Sequence, residues 1–239
     1  MKQHPRYHKN QIWEEARQSL ITLFWASVLT VPILFAQIRG YTKLYDIGDG
    51  TVSSTYEVAQ LLYFIVFSET CTYWLHRLFH HPFLFKSMHK KHHRYIIPTP
   101  FSAYAFDPLE AWAISLPVYA YSFLWPMSRH VQVLVFVCTN VWSFLIRIQL
   151  LPRLTYTLDD TREQLHTFHH KNVQLNCGQY FSTWDRFAGT YGDPMRYRRG
   201  NGGTKLSKKN RYCTCDGGLH CAFVFLGTFQ EWEWPFFPS

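Results

Sequence analysis

The sequence predicts an all-α, polytopic membrane protein of about four transmembrane helices, with a histidine-rich site for two metals on one side of the bilayer. Three observations predict it. Four apolar segments of helical length fall within the first 150 residues. Nine of the thirteen histidines fall in two short stretches, 76–93 and 166–170. Aromatic residues make up 18% of the 239-residue chain and charged ones only 17%.

Residues 1–18 are polar and basic and end in an amphipathic stretch of Ile12, Trp13, Ala16 and Leu20. No signal peptide is expected, because the first apolar run begins late and lacks a small-residue cleavage site. Ser19 to Ile38 holds twenty residues without a charge, enough to cross a bilayer core. Pro32 should kink this span, which a membrane helix tolerates. A polar loop with Gly40, Gly48 and Gly50 leads to a second span, Val58 to Leu75, carrying Glu69. A lone carboxylate there should face the protein interior. About two turns before His76, it is placed to accept from a metal-ligating imidazole. Residues 76–108 are the histidine-rich segment and the proline-interrupted PTPFSAYAFDP. Leu109 to Met127 and Val131 to Leu150 are the third and fourth apolar segments, and so short a link makes them an antiparallel hairpin. Arg147, near the end of the fourth, should snorkel to the interface or pair inside.

The histidines carry the chemistry. His76 and His80 are four apart; His89, His92 and His93 form H-x-x-H-H, and His166, His169 and His170 repeat it. On a helix these spacings share one face. Neutral imidazole binds first-row transition metals, and iron, zinc and copper all suit such a set. The neighbouring Lys86, Lys90, Lys91 and Arg94 would fit a solvated basic face for one cluster alone. Two clusters of one spacing plus H-x-x-x-H in an apolar chain favour a metal site. Eight or nine imidazoles are too many for one ion, so they imply two metals, or one ligand set with its supporting shell. Two spans before the first cluster, and a hairpin between the clusters, put both on one side. Lys and Arg are dense around that side and sparse at 39–57, so it is cytosolic. The net charge of +8 points to an anionic membrane surface or an acidic protein partner, not nucleic acid. Cys71, Cys138 and Cys177 should be free thiols, and Cys213, Cys215 and Cys221 lack the paired spacing of a zinc site.

The segments LHRLFHHP, HKKHH, PTPFSAYAF, CGQYFSTWDRFAGTY and the run IRGYTKLYD resemble the fatty acid hydroxylase/sterol desaturase superfamily of membrane non-haem iron enzymes. The likeness runs from about His4 to Pro194 and is closest to the fungal C-5 sterol desaturases. It implies iron ligands among His76, His80, His89, His92, His93, His166, His169 and His170, with His81 beside them. It implies two non-haem irons, dioxygen, and electrons from NAD(P)H through a reductase and cytochrome b5. The implied reaction introduces the C5–C6 double bond into a delta-7 sterol in ergosterol biosynthesis, in the endoplasmic reticulum membrane. Oxidation of another lipid or terpenoid, or a catalytically impaired relative, are the alternatives. The chain departs from the family where histidines are usual: Asp107, Arg147 and Tyr104 stand there. Asp107 retains an oxygen able to bind metal; Arg147 cannot ligate. Residues 1–197 are expected to form one membrane domain and 198–239 a divergent tail.

Overall fold

The computed structural model describes residues 10–95, 99–148, 165, 168–170 and 172–193, with the side chains of 145–148 left aside. It is mostly helical. Helix α1 spans Gln11–Ile38, α2 Ser54–Phe79, the short α3 Pro82–Ser87, α4 Pro108–Leu124, α5 Arg129–Ile148 and α6 Thr183–Phe187. Two 3-10 turns, His89–Arg94 and Pro100–Tyr104, lie between α3 and α4. Strands β1 (Leu44–Tyr45) and β2 (Met127–Ser128) pair in parallel and tie the loop after α1 to the α4–α5 link.

The four long helices stand where the four apolar segments were expected. Among the described residues only α1 is long and apolar enough to cross a membrane on those two measures, with a mean hydropathy of 2.0 in its apolar stretch. Helix α2 falls short because it carries the polar run Ser68, Glu69, Thr70 and Thr72. Helix α4 stops at Leu124 because Pro126 forces Trp125 into an extended conformation.

Polarity is inverted relative to a water-soluble bundle. Helix α1 buries Gln11, Glu15, Ser19, Thr22 and Thr30 along one face, while Leu20, Phe24, Trp25, Val31 and Phe35 point outward. The buried face serves the backbone of 99–106. Gln18 Nε2 and Thr22 Oγ1 donate to the Phe106 carbonyl at 2.8 and 2.7 Å, Ser19 Oγ donates to that of Phe101 at 2.6 Å, and Thr99 bonds Glu15. Helices α2 and α5 also turn apolar residues outward, among them Val58, Leu62, Val133 and Val137. The apolar core is small: Phe64, Val118, Tyr121, Met127 and Val135 where α2, α4 and α5 meet. Tyr119 lies near Phe136, and Phe144, further along α5, lies against Tyr104 just before α4, so α4 and α5 are antiparallel as expected.

This inversion is testable. Thr22→Val should cost about 1 kcal/mol, since a carbonyl loses one of its donors. Phe24→Ala on the outward face should leave the thermal midpoint in detergent unchanged. Equal losses at the two positions would mean that the inward face has been misassigned.

Candidate metal centre

Helix α2 delivers the first two imidazoles. His76 sits in its last turn and His80 caps it, so their four-residue spacing puts both on one face. Pro82 then excludes helix at His81, which turns into extended conformation, starts α3 and is exposed. His81 therefore stays out of the cluster. The next three histidines lie on a 3-10 turn instead of an α-helix. His89 and His93 join the His76–His80 pair, while His92 turns aside. Helical residues 168–170 supply His169 and His170 from the far end of the chain. His166 lies outside the described residues.

Five residues converge: His76, His80, His89, His93 and His169 offer ligand nitrogens that all lie within 4.8 Å of one another. The Nε2 atoms do the facing. His80 Nε2 is 3.3 Å from that of His76, 3.1 Å from that of His169 and 3.0 Å from that of His89. His93 Nε2 is 2.9 Å from that of His89. Behind this ring of nitrogens, three imidazoles are held by Nδ1. His76 Nδ1 donates to the Cys177 carbonyl at 2.7 Å, His169 Nδ1 to the Leu175 carbonyl at 2.7 Å, and His89 Nδ1 to Glu110 Oε1 at 2.6 Å.

These tethers decide the tautomers. A carbonyl only accepts, so His76 and His169 carry their proton on Nδ1 and aim an Nε2 lone pair inward; the Glu110 carboxylate does the same for His89. Burial adds that the rings stay neutral, because it disfavours the charged form. His76 is pushed down to about 4 by burial and His93 to about 3 by burial and its neighbour His76. His80, His89 and His169 are lowered too, chiefly by burial. His80 has one Nε2 proton at most to offer three facing lone pairs. Hydrogen bonds cannot satisfy that arrangement; a cation can. Donors about 2.1 Å from a shared ion stand roughly 3 Å apart, the spacing found here. The residues present fit a bound metal.

A second group adjoins the first. The His92 and His170 rings are 4.4 Å apart, and His93 is 4.8 Å from His170. His92 also stacks on Phe106, with centroids 4.4 Å apart and planes at 14°.

The acceptors come from elements whose role the sequence alone did not reveal. Glu110 is fully buried in the first turn of α4. Asp107, read as a substitute ligand, caps that helix through the Leu109 N–H and pairs with Lys91 at 2.7 Å. Glu69, expected to accept from a metal-ligating imidazole, accepts the Phe181 N–H at 3.0 Å. The carbonyls of Leu175 and Cys177 belong to a loop pinned by two buried side chains. Asp185 accepts from the Cys177 and Gly178 N–H groups at 2.8 and 2.9 Å and from Thr190 Oγ1 at 2.7 Å. Asn176, at φ 58, bonds both backbone polar groups of Gly192. Position 178 admits only glycine, since a Cβ there would lie 2.3 Å from the Phe181 carbonyl oxygen. Tyr104 donates to Asn140. The Arg147 side chain lies outside the described residues.

Glu110→Gln keeps the shape and weakens the hold on His89, so metal retention against a chelator should fall roughly 10–100-fold. Asp185→Ala frees the loop carrying two tethers and should lower both metal content and the thermal midpoint. A metal content unmoved by either change would disprove the tether assignment.

The pattern of the fatty acid hydroxylase family matches residues 61–190, from α2 through the Asp185 loop. Over 191 residues the chain is 39% identical to the Delta(7)-sterol 5(6)-desaturase of Leptosphaeria maculans, covering 80% of this chain and 53% of that protein. A Delta(7)-sterol 5(6)-desaturase of Aspergillus fumigatus is 38% identical over 81% of this chain and 57% of its own length. Human lathosterol oxidase is 34% identical over 81% of this chain and 66% of its own. The chain thus spans about half the length of the first of these relatives. No solved structure matches it.

Proposed function

The chain belongs to the fatty acid hydroxylase family, and from that premise we propose that it is a C-5 sterol desaturase of the endoplasmic reticulum membrane. The observation that carries the reading is the ring of tethered, neutral imidazoles, beside relatives named as sterol desaturases. We assign His76, His80, His89, His93 and His169 to one iron, and His92, His170 and His166, with His93 nearby, to a second. Two bound irons would supply an oxidant strong enough to take hydrogen from an unactivated C–H bond, which no side chain can do. Two substrate hydrogens, with two electrons and two protons from the donor, reduce dioxygen to two waters and leave the C5–C6 double bond. The protein's own residues hold the imidazoles neutral and oriented, keep water out by burial, and present the flat substrate.

Four spans are part of the proposal. The outward apolar faces of α1, α2 and α5 support it, since exposed apolar surface of that extent needs a cover. Exposed Lys86, Lys90 and Arg94 near the histidine turn suit a cytosolic face that meets acidic cytochrome b5. Residues 1–197 would form the membrane domain and 198–239 a divergent tail, all of the tail outside the described residues.

A second reading is an impaired relative that binds sterol without oxidising it. Asp107 favours it, being engaged as a helix cap and ion pair where the resemblance expects a ligand. Expression in a yeast lacking its C-5 desaturase separates the two. The first reading expects C5–C6-unsaturated sterol and about two irons per chain. His92→Ala and His169→Ala should then lose iron and activity together. Iron near zero with no product would establish the second reading, and Arg147→His with Asp107→His should then raise the iron content. Acceptor sites for glycosylation placed in 39–57 should be modified and those after Pro194 should not; modification at both would overturn the four-span topology.

A further inference from the structure

Two cavities lie beside the centre and meet at Thr139 and Tyr180. The outer one, about 270 Å3, lies between α2 and α5, lined by Phe64, Ile65, Cys138, Trp142 and Phe181, and is almost wholly apolar. Ile65, Cys138 and Phe181 in its wall are themselves exposed, so it opens toward the outer surface of the two helices. The inner one, about 110 Å3, lies between the second 3-10 turn, α4 and α5. Phe106 lines it, and the Phe106 ring stacks on His92. Gln179 lines it as well, two residues from the carbonyl that tethers His76. The inner cavity is therefore separated from His92 by one aromatic ring and lies two residues along the chain from the His76 tether.

Chemistry differs between the two. The inner cavity gathers polar groups, Gln179 and the bonded Tyr104–Asn140 pair among them. No charged side chain lines either cavity among the described residues. A carboxylate-headed ligand such as a free fatty acid would leave its charge unpaired and buried, which is costly. A rigid apolar molecule with one hydroxyl loses nothing there. Separately, each cavity is smaller than the roughly 300 Å3 at which ligand pockets begin; together they reach that range. Thr139 and Tyr180 line both of them.

We propose that the two cavities form one substrate path in which Gln179 receives the hydroxyl of a neutral apolar alcohol, and Tyr180 parts the inner pocket from the lipid-side entrance. The inference rests on the sterol reading and deepens it. The side chain of Tyr180 moves aside as the ligand passes, and the hydroxyl end comes to rest nearest the Cys177 tether.

The test is photolabelling in phosphatidylcholine nanodiscs with a diazirine-bearing delta-7 sterol. Label is expected within 136–143 or 179–181. The 3-deoxy sterol should compete on the order of tenfold less well than the sterol, one hydrogen bond's worth. In Gln179→Leu the sterol should lose that advantage, while iron content stays at the wild-type level. Oleate should not compete. Label elsewhere, equal competition by the 3-deoxy sterol on the wild type, or competition by oleate would overturn the site. If Gln179→Leu fails to fold, as lost iron would reveal, the wild-type label map and the 3-deoxy comparison still decide. A chain labelled at these positions that makes no C5–C6 double bond keeps this site and removes the desaturase reading. A chain that desaturates but is labelled elsewhere does the reverse.

Discussion

A buried imidazole has two nitrogens to satisfy, and the partner of its Nδ1 decides where its Nε2 lone pair points. In this chain three of the five converging rings are fixed in that way, by two main-chain carbonyls and one carboxylate. Much of the described structure is arranged to hold those acceptors still. The Lys91–Asp107 pair joins the histidine turn to the cap of α4, and Glu110 follows at the third helical position, against His89. Asp185 and Asn176 hold the loop that carries the two carbonyls. Asp107, where the resemblance implies a histidine, is thus given over to locating a carboxylate that orients another histidine.

The inverted polarity of α1 serves the same end at one remove. Residues 99–106 form a 3-10 turn and an irregular segment, whose carbonyls lack the partners a continuous helix provides. Near a bilayer such groups need side-chain donors, because lipid offers none. Gln18, Ser19 and Thr22 supply them on the one face of α1 turned inward. Phe106, whose carbonyl takes two of these bonds, is the residue that stacks on His92. A polar stripe on the long apolar helix α1 therefore reaches the imidazoles through one aromatic ring.

The histidines were legible because their spacing is a local property. H-x-x-x-H on α2 behaved as helical periodicity requires, and Pro82 accounts for the turning aside of His81. H-x-x-H-H was legible as a cluster but not as geometry. Read as an α-helix it sends three rings to one point, whereas the 3-10 turn divides them between two groups. The tethers were not legible, because main-chain carbonyls carry no residue signature. Glu69 stood out as an acid in an apolar segment close to His76, whereas Glu110 did not stand out. Glu69 lies seven residues before His76 but bonds Phe181, while Glu110 is 21 residues beyond His89 and bonds it. The DPLE and WD elements held the information, in pairings between distant segments that no single-segment pattern encodes.

One short run, 175–181, does two jobs. Its carbonyls at Leu175 and Cys177 orient metal-facing imidazoles, and its side chains at Gln179 and Tyr180 line the inner cavity. Asp185 fixes the backbone between these roles by holding two successive N–H groups, and Gly178 leaves no room for a side chain there. An insertion in this run would shift tether and pocket together, so length is constrained by the metal site. Side-chain identity at 179 and 180 carries no such constraint, since neither residue supplies a tether. Within a frame of this kind, a change of substrate needs only new side chains on the pocket side, and the imidazoles keep their aim. Tyr104 illustrates the division: where the resemblance implies a histidine, it bonds Asn140 and lines the pocket, leaving the tethered ring of nitrogens intact.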